Sequence, residues 1–385
     1  VLGAFFLIPF LVRLRYTSAY EYLERRFGTW ARIYGAVGFL LFQLFRIGII
    51  LYAVSLALHQ MSGFSVPVVI CSLGVLVAAY TIAGGLQAVI YTDCLQAVAL
   101  IAGGLICTPL IANMVPGGLG QIVTEANADG KFSIGSTDFG LSQETVWVII
   151  LVYQFQFLQM MCTDQSMVQR YLACGDRRGS QLALMFSGLV VFLQFLLFLV
   201  IGVMLYAFYE RFPLGQELEQ VDRIFPIFIV EQMPTGFSGL IIAAIFAAAM
   251  STLSSSLNSL SSSSINDFYK VYLVQKASDA HYLRASRTAT LAWGVVLIVI
   301  SMLARNWGEV LQVGLTISSI TMGSVLGVFL LGLRRRQLRE GPALVAMVSG
   351  LMIVLVLHLF SDVAWTWYML IGTSTTFWVG IFYEE

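Results

Sequence analysis

The chain has 385 residues, of which 58% are apolar and only 11% charged, with 21 basic side chains against 21 acidic ones and a mean hydropathy of +0.85. Soluble domains carry roughly 45–50% apolar and about 25% charged residues, so this chain has too few charges to clothe a water-exposed surface. Balanced charge gives no footing for nucleic acid, no zinc or P-loop spacing occurs, and the composition points to an all-α polytopic membrane protein whose partner is the lipid bilayer.

The chain opens inside an apolar run, 1–12, with no initiator Met, polar leader or signal peptide before it. We read that run as the tail of a span, and the sequence as an excerpt lacking its N-terminus. TSAYEYLERRFGTWARIYG follows, with Thr17 or Ser18 as a helix cap and Glu21 at capping-box spacing. Apolar runs of about 20 residues then predict spans near 33–58, 65–82 and 88–110, a soluble stretch over 111–144, and spans near 146–165, 181–206, 237–264, 288–304, 311–332, 343–359 and 364–382. That makes ten full spans and one partial, and runs of this length are helices rather than the short alternating strands of a barrel.

Charge placement supports the count. If the loop after the opening run is cytoplasmic, the outer loops keep only Lys131, Arg211, Arg223 and Arg305, Arg46 lies inside a span, and the other 16 of the 21 basic residues face inward. The five cysteines lie in mostly apolar surroundings without metal spacing and read as small core residues.

Polar groups inside spans are costly unless partnered or functional, and three constellations qualify. In IIAAIFAAAMSTLSSSLNSLSSSSINDFY, positions 248, 251, 252, 255, 258, 259 and 262 share one helix face. Close helix packing by small residues is one reading; a cage of hydroxyl and carbonyl oxygens for a small hard cation is the other. Asp93 stands just inside a span, read either as an interfacial cap with Thr92 or as a buried carboxylate that balances a cation, with Gly84 and Gly85 providing a bend. Arg46 lies at mid-span, read either as half of a structural ion pair, with Asp93 as a partner, or as a planar donor fork for a solute carboxylate, with Gln43 one turn away on the same face. Asp164, with Gln154, Gln156, Gln159 and Gln165, divides evenly between local capping and pathway lining.

The runs TSAYEYLERRFG, AGGLQAVIYTDCLQA, VQRYLA and AAIFAAAMSTLSSSLNSLSSSSINDFY resemble the sodium:solute symporter family, and within it the bacterial branch that carries sialic acid. The resemblance implies a LeuT-type core of two inverted repeats in a single transporter domain, 1–385. Residues 1–110 are then the end of the first repeat (core helices 2–5), 146–332 the second (core helices 6–10), and 343–382 two additional helices; core helix 1 and most of core helix 2 are not in the sequence.

It also implies a sodium site made by the Ala248 carbonyl with the Ser251 and Thr252 hydroxyls, a second made by Asp93 with Ser251, Ser254 and Ser255, and a solute carboxylate on Arg46. The expected activity is alternating-access symport of a small organic anion, sialic acid first, in the bacterial inner membrane. The coupling ion is Na+, two per solute, with no cofactor and no obligate protein partner. Another monocarboxylate, a neutral sugar or an amino acid is the alternative cargo. A membrane enzyme would need a nucleophile–base pair or metal cluster, which three scattered histidines do not supply; a channel or sensor would share the hydroxyl-lined helix but not saturable, mutually dependent flux.

Overall fold

A computed structural model describes residues 16, 18–133, 135–143, 145–174, 176–213, 224–234, 236–304, 310–334 and 338–383. Among them are α1 (Ala19–Phe27), α2 (Thr29–Ser62), α3 (Val66–Met114), α4 (Gly118–Ala128), α5 (Tyr153–Cys162), α6 (Gln165–Ala173) and α7 (Arg177–Arg211). Then come α8 (Ile224–Glu231), α9 (Phe237–Ser263), α10 (Asp279–Leu303), α11 (Val310–Gly332), α12 (Glu340–Phe360) and α13 (Tyr368–Phe382). π-helical turns precede α5 (Val148–Val152) and extend α9 (Ser264–Leu273). The expected span 1–12 and Thr17 lie outside the described residues.

Ser18 caps α1, its hydroxyl accepting from the Glu21 backbone N–H at 3.1 Å. The Glu21 carboxylate pairs with Arg25 at 2.9 Å, one turn on.

The expectation of ten full spans is corrected. Among the described residues six helices are long and apolar enough to cross a membrane: Thr29–Ser62, Val66–Met114, Arg177–Arg211, Phe237–Leu273, Asp279–Leu303 and Glu340–Phe360. The runs near 65–82 and 88–110 form one 49-residue helical stretch that breaks at Gly85, whose φ of 56° and ψ of −152° only glycine adopts readily. The run near 146–165 is interrupted at Thr163–Asp164, between α5 and α6, which leaves a shorter apolar helix. α13 has only 15 residues.

The chain divides into two compact units. The first comprises the described residues up to Ile49, those from Gly135 to Met185, and those from Ser255 onward; its core gathers Tyr20, Leu23, Phe27, Phe39, Met322, Phe329 and Met347. Its α11, α12 and α13 approach closely through small residues: a Cβ added to Gly327 or Gly350 would stand 2.7 Å from a carbonyl oxygen of α13, and Thr373 donates to the Gly323 carbonyl at 3.0 Å. The second unit, between Ile50 and Ile134 and from Phe186 to Ser254, packs Ile111 and Ile122 with Phe208 and Phe228, whose ring centroids lie 5.1 Å apart edge to face.

Candidate functional site

In the second unit the oxygens of α9 meet α3. The Ser251 hydroxyl donates to Asp93 Oδ1 at 2.6 Å, joining the two helices across 158 residues of sequence. Thr252 donates to the Ala248 carbonyl at 3.3 Å, and the buried Ser254 hydroxyl donates to the Ser251 carbonyl at 3.1 Å. Each of these hydroxyls gives its proton to a carbonyl or carboxylate, and a hydroxyl oxygen carries acceptor lone pairs besides. Neutral oxygens beside one carboxylate are the donor set of a hard cation. Thus Ala248, Ser251, Thr252, Ser254 and Asp93 are brought together as oxygens on adjoining helices. Tyr80, which composition did not single out, donates to the Met250 carbonyl at 3.0 Å.

The remaining site residues lie in the first unit. Arg46 stacks over the Phe42 ring, guanidinium carbon 4.9 Å from the centroid, and its Nε is buried without an acceptor among the described residues. Gln43 is fully buried; its Nε2 donates to Ser166 at 3.2 Å and Ser256 at 2.8 Å, while its Oε1 has no partner among the described residues. Ser166 donates onward to Ser259 at 3.1 Å, and Asn258 to Gln169 at 3.1 Å. Gln43 therefore ties α2 to α6 and to α9. Ser255 accepts from Arg170 Nη2 at 2.6 Å.

Of the two readings of Asp164, local capping accounts for its position, since its buried carboxylate accepts from the Ser166 backbone N–H at 2.8 Å at the start of α6.

Sequence reasoning missed the buried ion pair at the end of α9. Asp267 Oδ1 accepts from Arg32 Nε at 3.1 Å, Arg32 Nη2 at 3.0 Å and Ser18 at 2.5 Å, and Oδ2 accepts from Ser263 at 2.8 Å. Glu24 takes Arg32 Nη1 at 2.5 Å. Arg32 entered the topology argument as one more inward positive charge, and only an unexplained acid at the foot of a serine-rich helix hinted at its partner.

Residues 1–350 match the family model described as "Sodium:solute symporter family". The chain is 33% identical over 379 residues to the sodium/sialic acid symporter NanT of Aliivibrio fischeri, covering 97% of this chain and 75% of that protein. A solved Na+-coupled sialic acid symporter, substrate-bound and outward-open, superposes with a TM-score of 0.91 at 31% identity over 98% of this chain and 79% of that one. A solved nucleobase-cation-symport-1 family transporter shares the fold at a TM-score of 0.57 and 14% identity, over 99% of this chain and 84% of that one. The helices thus adopt a LeuT-type arrangement.

Proposed function

The chain belongs to the sodium:solute symporter family, and from that premise we propose that its cargo is a small organic anion, sialic acid before any other, taken up across a bacterial inner membrane. It is a multi-pass membrane protein and a secondary active, Na+-coupled symporter of a small organic solute, a transporter working by alternating access rather than an enzyme.

The observation that carries the cargo proposal is Arg46. A buried guanidinium N–H without an acceptor is unfavourable, and a carboxylate matches its planar fork. One turn away, Gln43 Oε1, without a partner among the described residues, can accept from a hydroxyl. A solute bearing both a carboxylate and hydroxyls, as sialic acid does, satisfies the two together.

For the coupling ions, the Ala248 carbonyl with Ser251 and Thr252 makes one proposed sodium site, and Asp93 with Ser251 and Ser254 the other. Ser255, expected as a further oxygen, would first have to release Arg170. In this reading the two arms of α3 cross separately, α11 crosses over its 23 residues, and α5 and α13 are short crossings. Residues up to 110 and residues 146–332 are then inverted repeats, followed by two additional helices.

The test is equilibrium binding by the full-length protein to sialic acid, pyruvate, glucose and proline, each with and without Na+. Binding of sialic acid in Na+ alone is expected. Binding of glucose or proline with sialic acid silent would overturn the cargo, and affinity indifferent to Na+ would overturn the two ion sites.

A further inference from the structure

Tyr80 and Gln96 have no part in the reading above, yet Gln96 lies one helix turn from Asp93 and Tyr80 bonds to the residue before its partner Ser251. In an unbroken helix Tyr80 and Thr92 would stand roughly 18 Å apart along the axis. With the break at Gly85 between them, the two arms of α3 reach adjacent residues of α9: on the second arm Asp93 takes the Ser251 proton, and on the first stands the Tyr80 hydroxyl. Its proton goes to the Met250 carbonyl, 3.0 Å away, one residue before Ser251. Gln96 is three residues beyond Asp93, on the same helix face. Its Oε1 is buried and meets no donor among the described residues.

A primary amide has two ends. A buried carbonyl-type oxygen without a donor is costly, whereas one helix turn from a carboxylate it is a ligand of the kind a hard cation takes. Thr92 is already committed, donating to the Ala88 carbonyl at 2.9 Å. We propose that Gln96 Oε1 is a ligand of the cation held by Asp93 and Ser251, and that Tyr80 is the positioning residue that holds the Met250–Ser251 backbone for it. This deepens the second sodium site proposed above and rests on it.

The experiment reads ion binding rather than transport. Na+ is titrated into the solute-free, full-length protein, following heat of binding and the rise in Tm, for wild type, Asp93→Asn, Gln96→Met, Gln96→Glu and Tyr80→Phe. Gln96→Met and Tyr80→Phe are each expected to weaken one Na+ affinity about tenfold or more, in the range that loss of a ligand's support produces. Gln96→Glu, which keeps an oxygen and adds charge, is expected to retain or tighten that affinity. A Gln96→Met affinity within about twofold of wild type, with Asp93→Asn strongly impaired, would overturn the roles of Gln96 and Tyr80 and leave the site. Equal losses in Gln96→Met and Gln96→Glu would make Gln96 structural. No loss in Asp93→Asn would remove the second site itself.

Discussion

Arg46 shows how one side chain can carry a specificity argument. Its neighbours are apolar, its ring contact is with Phe42, and its buried Nε lacks an acceptor among the described residues. Replacing a buried charged partner by alanine typically costs about 2 kcal/mol or more, roughly a thirtyfold change in affinity. Arg46→Ala is therefore expected to weaken sialic acid binding by about that factor, with Arg46→Lys intermediate because an ammonium keeps the charge but loses the fork; equilibrium binding in saturating Na+ checks it. An unchanged affinity in Arg46→Ala would make the arginine a purely structural residue. At this scale the sequence was informative wherever a polar group sat alone among apolar ones: Asp93, Arg46 and the α9 hydroxyls stand out that way. Gln43 did not disclose its partners, because the bonds to Ser166 and Ser256 span 123 and 213 residues, and no helical spacing reports on those.

Among the elements, α3 departs most from what its composition suggests. Its 49 residues would extend roughly 74 Å if straight, more than twice the ~30 Å hydrocarbon core, so the break at Gly85 is what fits it to a bilayer. Two apolar runs were legible on either side, as was the hint of a bend at the glycine pair. The dihedral at Gly85 that breaks the helix between Tyr80 and Asp93 was not legible, because it belongs to the folded backbone. Gly85→Ala meets open space but must hold a glycine-only conformation. It is expected to cost about 1–3 kcal/mol and to lower Tm, as thermal melts will show, and to weaken Na+ binding by shifting Tyr80 relative to Asp93.

Outside the membrane, α4 is fastened to the end of α7 by Arg211, whose Nη2 pairs with Glu125 Oε1 and whose Nε donates to Oε2 at 3.3 Å. Hydrogen bonding from Arg211, then from Gln121, holds the Glu125 carboxyl below the usual glutamate value. A lowered folded-state value means that the stabilisation is full above the ordinary glutamate range and is lost as pH falls through the lower, folded-state value. Hydrogen exchange of α4 is accordingly expected to quicken on acidification through that window, by a modest factor because the pair is partly exposed, and Arg211→Gln is expected to abolish the pH dependence.

For the whole molecule, the number of sodium ions sets how far the solute can be concentrated. A tenfold Na+ gradient supplies about 1.4 kcal/mol per ion, and 100 mV adds about 2.3 kcal/mol per charge. Two ions carrying one anion leave about 5 kcal/mol, enough for a gradient of several thousandfold, whereas one ion with one anion leaves about 1.4 kcal/mol, near tenfold. We expect two Na+ per anion, hence net inward positive charge; vesicle uptake with no current would refute it. The buried contact of Arg32 with Asp267 bears on how such a chain is made. The partners lie 235 residues apart, so at ribosomal speeds of about 5–20 residues per second, Asp267 follows by roughly 10–50 s. Through that interval the arginine has Glu24 but not the carboxylate that completes its shell. Translation through the foot of α9 thus delivers the carboxylate on which Arg32 and Ser18, made early in the chain, converge.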